Sequence, residues 1–193
     1  MPYPANFELD HPLEMARWRP LVQWLLAVPH MVVVWALGYV SPVVGIISWF
    51  AILFTGSLPT GLANFQSMII RYTMRTYSYA MFLRAPYPPF AFAVTPEDPG
   101  GDPVRVDLQP ALEGRNRLTV GLRIIWAIPA LLFAAVLGIA VCFVMIAAFF
   151  AVLFTGAWPE GMRSFVVRCM RYFVRVTAYY DLLTDEYPPF ALE

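Results

Sequence analysis

Two long apolar runs dominate the pattern along the chain. Leu21 to Thr55 contains no charged residue, and neither does Ile124 to Thr155. Runs of that length read as membrane spans, because a soluble core helix still carries a polar face. Before each run lies a short stretch alternating with period two, Phe7-Glu8-Leu9-Asp10 and Val104-Arg105-Val106-Asp107-Leu108, which predicts half-buried strands. After each run lies a helical pattern, from about Thr60 to Leu83 and from about Glu160 to Leu183. In the second, Arg168, Arg171, Arg175 and Tyr179 share one face, and Val166, Met170, Phe173 and Thr177 the other. The first repeats this, with Arg71, Arg75 and Tyr79 set against Ile70, Met74 and Tyr77. Such faces predict amphipathic helices lying in a membrane interface. A crossing helix would instead place arginines at mid-depth, at about 2.5–3.5 kcal/mol each.

The two halves are copies of one unit. FAILFTG (Phe50 to Gly56) returns as FAVLFTG (Phe150 to Gly156), and YPPFA (Tyr87 to Ala91) returns unchanged as Tyr187 to Ala191. Pro59, Gly61, Phe65, Arg71, Tyr72, Arg75 and Tyr79 recur one hundred positions later. A two-residue slip also matches Pro12, Arg17 and Arg19 to Pro110, Arg115 and Arg117. The chain therefore divides into a first repeat (1–91), a Pro/Gly linker (92–103) and a second repeat (104–193). Paired prolines cannot continue a helix and push the preceding residue toward extended geometry. YPPF accordingly reads as the joint between the membrane unit and a small sheet. The expected pairings are Phe90–Thr95 with Val104–Leu108, and Phe190–Glu193 with Phe7–Asp10.

Each apolar run, 21–55 and 120–155, is expected to be a transmembrane or re-entrant hairpin of two legs, turning near Gly38 to Pro42 and near Gly138. Pro29 and Pro129 would kink the first leg, as static bends or as hinges. The charged segments lie outside the runs, so the basic side is expected to be cytoplasmic, with both termini there. An even number of crossings per copy makes the duplication parallel, its axis along the membrane normal. The fold class expected is thus mainly α and integral to the membrane: two apolar legs and one interfacial helix per copy, with a small cytoplasmic β-sheet.

Composition agrees and narrows the chemistry. The chain is 60% hydrophobic and 13% charged, with zero net charge, against roughly a quarter charged in soluble domains. No basic field points to nucleic acid. Cys142 and Cys169 suit neither a disulfide framework nor a metal site, and no cleavable leader is expected, since the first apolar run starts late and is too long. His11 and His30 are far apart in sequence, so no metal or cofactor is expected. His30 reads as a packing residue more readily than as a proton carrier, since copy two carries Ala130 there.

The succession of Arg17-x-Arg19, AVPH (Ala27 to His30), FAILFTG-x-x-P-x-G, an Arg-rich helix and TDEYPPF (Thr184 to Phe190) resembles the bacterial, mainly actinobacterial, domain of unknown function 4389 family, in two tandem copies. The resemblance implies a membrane protein of the bacterial cytoplasmic membrane and brings no activity with it. The expected function is non-enzymatic: an accessory or scaffold subunit of a larger membrane complex, or a protein that organises anionic lipid. The alternative is a small transporter or lipid flippase acting between the halves, hinged at Pro29 and Pro129. Arg71, Arg75, Tyr79, Arg171, Arg175 and Tyr179 are the candidate contacts to headgroups or a partner.

Overall fold

The computed structural model describes residues 3–192. Its elements run β1 (Ala5–Leu9), α1 (Arg19–Leu26), α2 (Val28–Thr55), α3 (Thr60–Ala80), β2 (Val104–Leu108), α4 (Arg117–Gly121), α5 (Arg123–Thr155) and α6 (Glu160–Tyr180). α1 leads into α2 through Ala27, which keeps helical backbone angles. α4 leads into α5 through Leu122, whose backbone departs from helical angles at φ −101° and ψ 15°.

The apolar runs do not fold as hairpins. Beyond Ala27 and Leu122 each is one continuous helix, α2 or α5, passing through Gly38–Pro42 or through Gly138 without a turn. A Pro inside a helix removes one backbone donor and can kink it without reversing the chain. Gly38, Ser41 and Pro42 are spaced along the helix, and no charged residue lies near Pro42 or Gly138 to favour a reversal. Pro29 sits in the first turn of α2, where its missing N–H costs nothing, while Pro129 lies inside α5. Each helix instead ends at the repeated Thr-Gly. Gly56 and Gly156 both take φ 77°, the left-handed conformation that suits glycine. Thr55 and Thr155 each bond back to the carbonyl four residues earlier at 2.7 Å.

α3 and α6 fold back along α2 and α5. Gln66 Nε2 reaches Ser41 Oγ at 2.6 Å, and His30 Nδ1 lies 2.7 Å from the Tyr72 hydroxyl; in the second copy Tyr172 donates to the Ala130 carbonyl at 3.2 Å. Both helices are packed between other elements rather than laid on an edge, as an interfacial helix would be, although α6 keeps Ser164, Arg168 and Tyr180 exposed. α3 buries residues on every face, Arg71 and Arg75 included. Periodic arginines mark a polar face without saying whether water, lipid or protein meets it.

The sheet also differs from the expected pairings. β1 pairs antiparallel with β2, with Phe7 opposite Val106 and Glu8 opposite Arg105. Phe90–Thr95 forms no strand and runs beside α2 and α3, Phe90 stacked on His30 at 4.0 Å and Phe92 on Tyr72 at 5.0 Å. Of Phe190–Glu193, the described part also forms no strand, and Glu193 lies outside the described residues. The two alternating stretches find each other because each offers one apolar face, Ala5 and Phe7 or Val104 and Val106, all fully buried against the helices.

The outcome is three layers. The sheet covers one face of α3 and α6, and α2 and α5 cover the other. The copies are interlocked: Met15 N–H bonds to Gly156 O and Arg115 N–H to Gly56 O, so each copy's entry segment caps the other copy's long helix. These contacts align Arg17 with Arg117 without the two-residue slip. They also set α2 and α5 antiparallel, related by an axis that passes through the layers. α2 and α5 are each long and apolar enough to cross a membrane, and only 11% and 22% of their most apolar stretches are buried. Trp35, Phe54, Ile124, Phe143 and Phe154 are each more than half exposed.

Candidate functional site: a cleft between the long helices

The candidate arginines have separate fates. Arg71 is buried and gives Nη1 to Thr95 O and Nη2 to Pro96 O, each at 2.8 Å, and Nε to Val106 O at 3.3 Å. Arg75 pairs with Asp98 at 2.7 Å. Both therefore hold the linker and β2 rather than facing a headgroup. Asp98 also accepts from the N–H groups of Gly100 and Val106. Arg171 donates to Phe7 O at 3.3 Å, and Arg175 lies over the Tyr3 ring at 5.6 Å. Tyr79 and Tyr179 are buried edge-on against Tyr87 and Tyr187, at 5.2 and 5.3 Å.

A second cluster tightens copy two. Asp185 takes a two-point contact from Arg115, at 3.0 and 2.7 Å, together with Arg123 and the Asn116 N–H. Burial alone would raise the Asp185 carboxyl, but these bonds outweigh it and hold it below its ordinary value. Copy one has Ala85 there and solves the problem differently, with Arg84 paired to Asp102 of the linker. Gln23, at the position of Arg123, gives its amide to Arg84 O at 2.6 Å, as Arg123 gives its guanidinium to Thr184 O at 3.0 Å.

What lies open is a cleft of about 840 Å³, walled by α2 and floored by α3 and α6, with Val141 of α5 on its far side. That volume falls in the range of about 300–1,000 Å³ of small-molecule sites. Its lining is mostly apolar, with hydroxyls from Tyr39, Ser41, Thr73, Tyr77, Thr177 and Tyr180 and one carboxyl, Asp181. Gln66 of α3 sits between Ser41 of α2 and Asp181, the residue that ends α6. Gln66 is 2% exposed and its Oε1 has no hydrogen-bond partner. Burial pushes the Asp181 carboxyl up to about 7, with the Gln66 hydrogen bond pulling the other way. No group of three or more His, Cys, Asp or Glu able to hold a metal occurs among the described residues.

The family described as Domain of unknown function (DUF4389) matches residues 17–91 and 117–191, more than half of the chain. The chain belongs to this family. It carries two tandem DUF4389 copies, and the matched segments stand in the same offset that the interlocked contacts define. No curated protein and no solved structure matches the chain.

The two DUF4389 copies differ where the cleft is polar. Ser41, Gln66 and Asp181 correspond to Val141, Val166 and Met81, and Val141 and Met81 line the opposite side of the same cleft. Asp181 and Gln66 were missed as candidates because each looks ordinary alone. The signal was in the offset: each is a polar residue whose counterpart in the other copy is apolar.

Proposed function

We propose that this DUF4389 protein is a non-enzymatic membrane protein that lies in the cytoplasmic leaflet of a bacterial membrane and organises lipid there. The observation that carries this is the outer face of α2 and α5. Large apolar side chains stand exposed along both helices, and leaving each in water forfeits about 1.5–3 kcal/mol. A soluble monomer rarely shows such a continuous face.

The layered architecture favours helices lying flat over helices that cross. α2 and α5, at 28 and 33 residues, are about 42 and 50 Å long at 1.5 Å per residue, against a hydrocarbon core of about 30 Å. Crossing would carry the sheet to the same depth, since it covers Arg71 and Arg75 near the middle of α3. Exposed Glu8, Asp10 and Arg105 would then face hydrocarbon, at about 2.5–3.5 kcal/mol for each basic or acidic group on insertion scales. Lying flat leaves these groups in water and keeps the duplication axis along the membrane normal, with both termini on the cytoplasmic side.

Contact with anionic headgroups then falls to Arg17 and Arg117, both exposed at the short helices α1 and α4 that lead into the long ones, and beside exposed Trp18 and Leu118. Basic groups there are worth about 1 kcal/mol each near an anionic leaflet. The test is flotation of the purified chain with vesicles containing phosphatidylglycerol. Retention should fall with salt and with Arg17→Glu plus Arg117→Glu. A chain that stays in the aqueous fraction with every vesicle would refute the proposal. The second function, movement of a lipid between the halves, is favoured by a cleft floored by α3 of one half and α6 of the other. Scramblase assays on reconstituted vesicles address it directly.

A further inference from the structure

We infer that the cleft between α2 and α5 binds one hydrocarbon chain of a lipid whose polar end is an uncharged hydroxyl, held between Ser41 and Asp181 and against Gln66 behind them. The inference rests on the membrane placement proposed above, which supplies the chain from the bilayer.

Three observations bear on the occupant. The first is continuity: exposed Trp35 and Tyr39 line the cleft and also belong to the apolar face of α2. A chain can enter sideways without passing through water. The second is an unmet acceptor. A buried carbonyl oxygen without a donor costs about 1–3 kcal/mol, and Gln66 Oε1 is such an atom, placed between two residues that line the cleft. A hydroxyl that enters between Ser41 and Asp181 supplies the missing donor. The third is the one-sided polarity. Ser41 and Asp181 line the cleft with Gln66 buried behind them, while their counterparts Val141 and Met81, also in the lining, are apolar; Thr73, Tyr77, Thr177 and Tyr180 add hydroxyls, but Asp181 is the one carboxyl of the lining. A headgroup would therefore bind in one orientation despite the duplication.

The carboxyl selects against anionic heads. With its proton on, Asp181 donates to or accepts from a hydroxyl; without it, the charge repels a carboxylate or phosphate. The raised carboxyl fits a wall that hydrocarbon keeps dry. A lipid such as a monoacylglycerol satisfies both ends of the cleft, and a fatty acid with the same chain satisfies only one.

The experiment uses the full chain in detergent micelles, with monooleoylglycerol and oleate as competing probes and native mass spectrometry as the readout. The wild type should retain monooleoylglycerol about tenfold better than oleate near neutral pH. Gln66→Val with Asp181→Met, which copies the other half, should abolish that preference while a chain is still bound. Gly38→Phe, at a cleft-lining glycine with open space around it, should exclude both probes and leave circular dichroism unchanged. Equal binding of the two probes by the wild type would overturn the inference, as would a preference that survives the double substitution. Vesicle flotation of the same variants keeps the two proposals apart. The variants should float like the wild type. A wild type that fails to float removes the membrane placement and the route of entry with it, whereas one that floats but shows no preference removes only the cleft ligand.

Discussion

Arg71 and Arg171 hold the two ends of one cross-strand pair. Arg71 Nε donates to the carbonyl of Val106 and Arg171 Nε to that of Phe7, both at 3.3 Å, and Phe7 and Val106 are register partners in the sheet. Each copy thus donates a strand to a helix of the other: β1 packs on α6, and β2 packs on α3. The interlock makes the duplicated chain one folding unit.

Arg71→Ala removes the donor to three carbonyls at once, those of Thr95, Pro96 and Val106. Stability should fall by about 3 kcal/mol, measured by denaturant titration in detergent. Flotation of the folded fraction with anionic vesicles should be unchanged, because this arginine faces protein.

Asp185→Asn should be more damaging than its partly exposed position suggests. It strips the countercharge from Arg115 and Arg123, which are 6% and 2% exposed. Breaking a buried pair from one side costs about 3–5 kcal/mol. Denaturant midpoints should show that loss, and the double variant with Arg115→Met should recover part of it.

Much of this was legible in the sequence. The tandem copies, the two alternating strands and the apolar helical runs all follow from local chemistry. The layering did not follow. A run with no charge looks the same whether it turns back on itself or continues, and Gly38 to Pro42 suits a turn without requiring one. The role of Arg71 and Arg75 was hidden because their partners, carbonyls of the linker and Asp98, lie over twenty residues away. Asp181 and Gln66 come together only when α3 packs against the end of α6.

The pH profile of stability should carry two opposing signatures. Burial lowers the His11 pKa below 6.5, with Arg163, Arg84 and Arg19 adding to the effect against the raising influence of the Pro12 carbonyl. Its Nδ1 faces Pro12 O at 2.9 Å, and its Nε2 accepts from the Ala85 N–H at 3.0 Å, a bond that a second proton would break. A lowered histidine contributes stability above its unfolded pKa and loses it as pH falls through the folded value. Asp181, raised from 3.8 to about 7 by burial, does the reverse: it costs stability above that value and regains it as pH falls toward 4. Asp181→Asn should therefore stabilise the protein at about pH 8 and have little effect at about pH 4. His11→Gln should flatten the loss below about pH 6.5. Thermal unfolding in detergent across that range measures both.

The most direct test of the flat placement is one-sided labelling of the two ends of the first long helix. With Cys142 and Cys169 replaced by serine, Trp18→Cys and Ser57→Cys are each exposed, separately, to a membrane-impermeant thiol reagent applied to right-side-out and then to inverted vesicles. Helices lying flat in the inner leaflet predict that both positions react only in inverted vesicles. If either position reacts only from the outer face, the long helices cross the membrane and the placement is wrong.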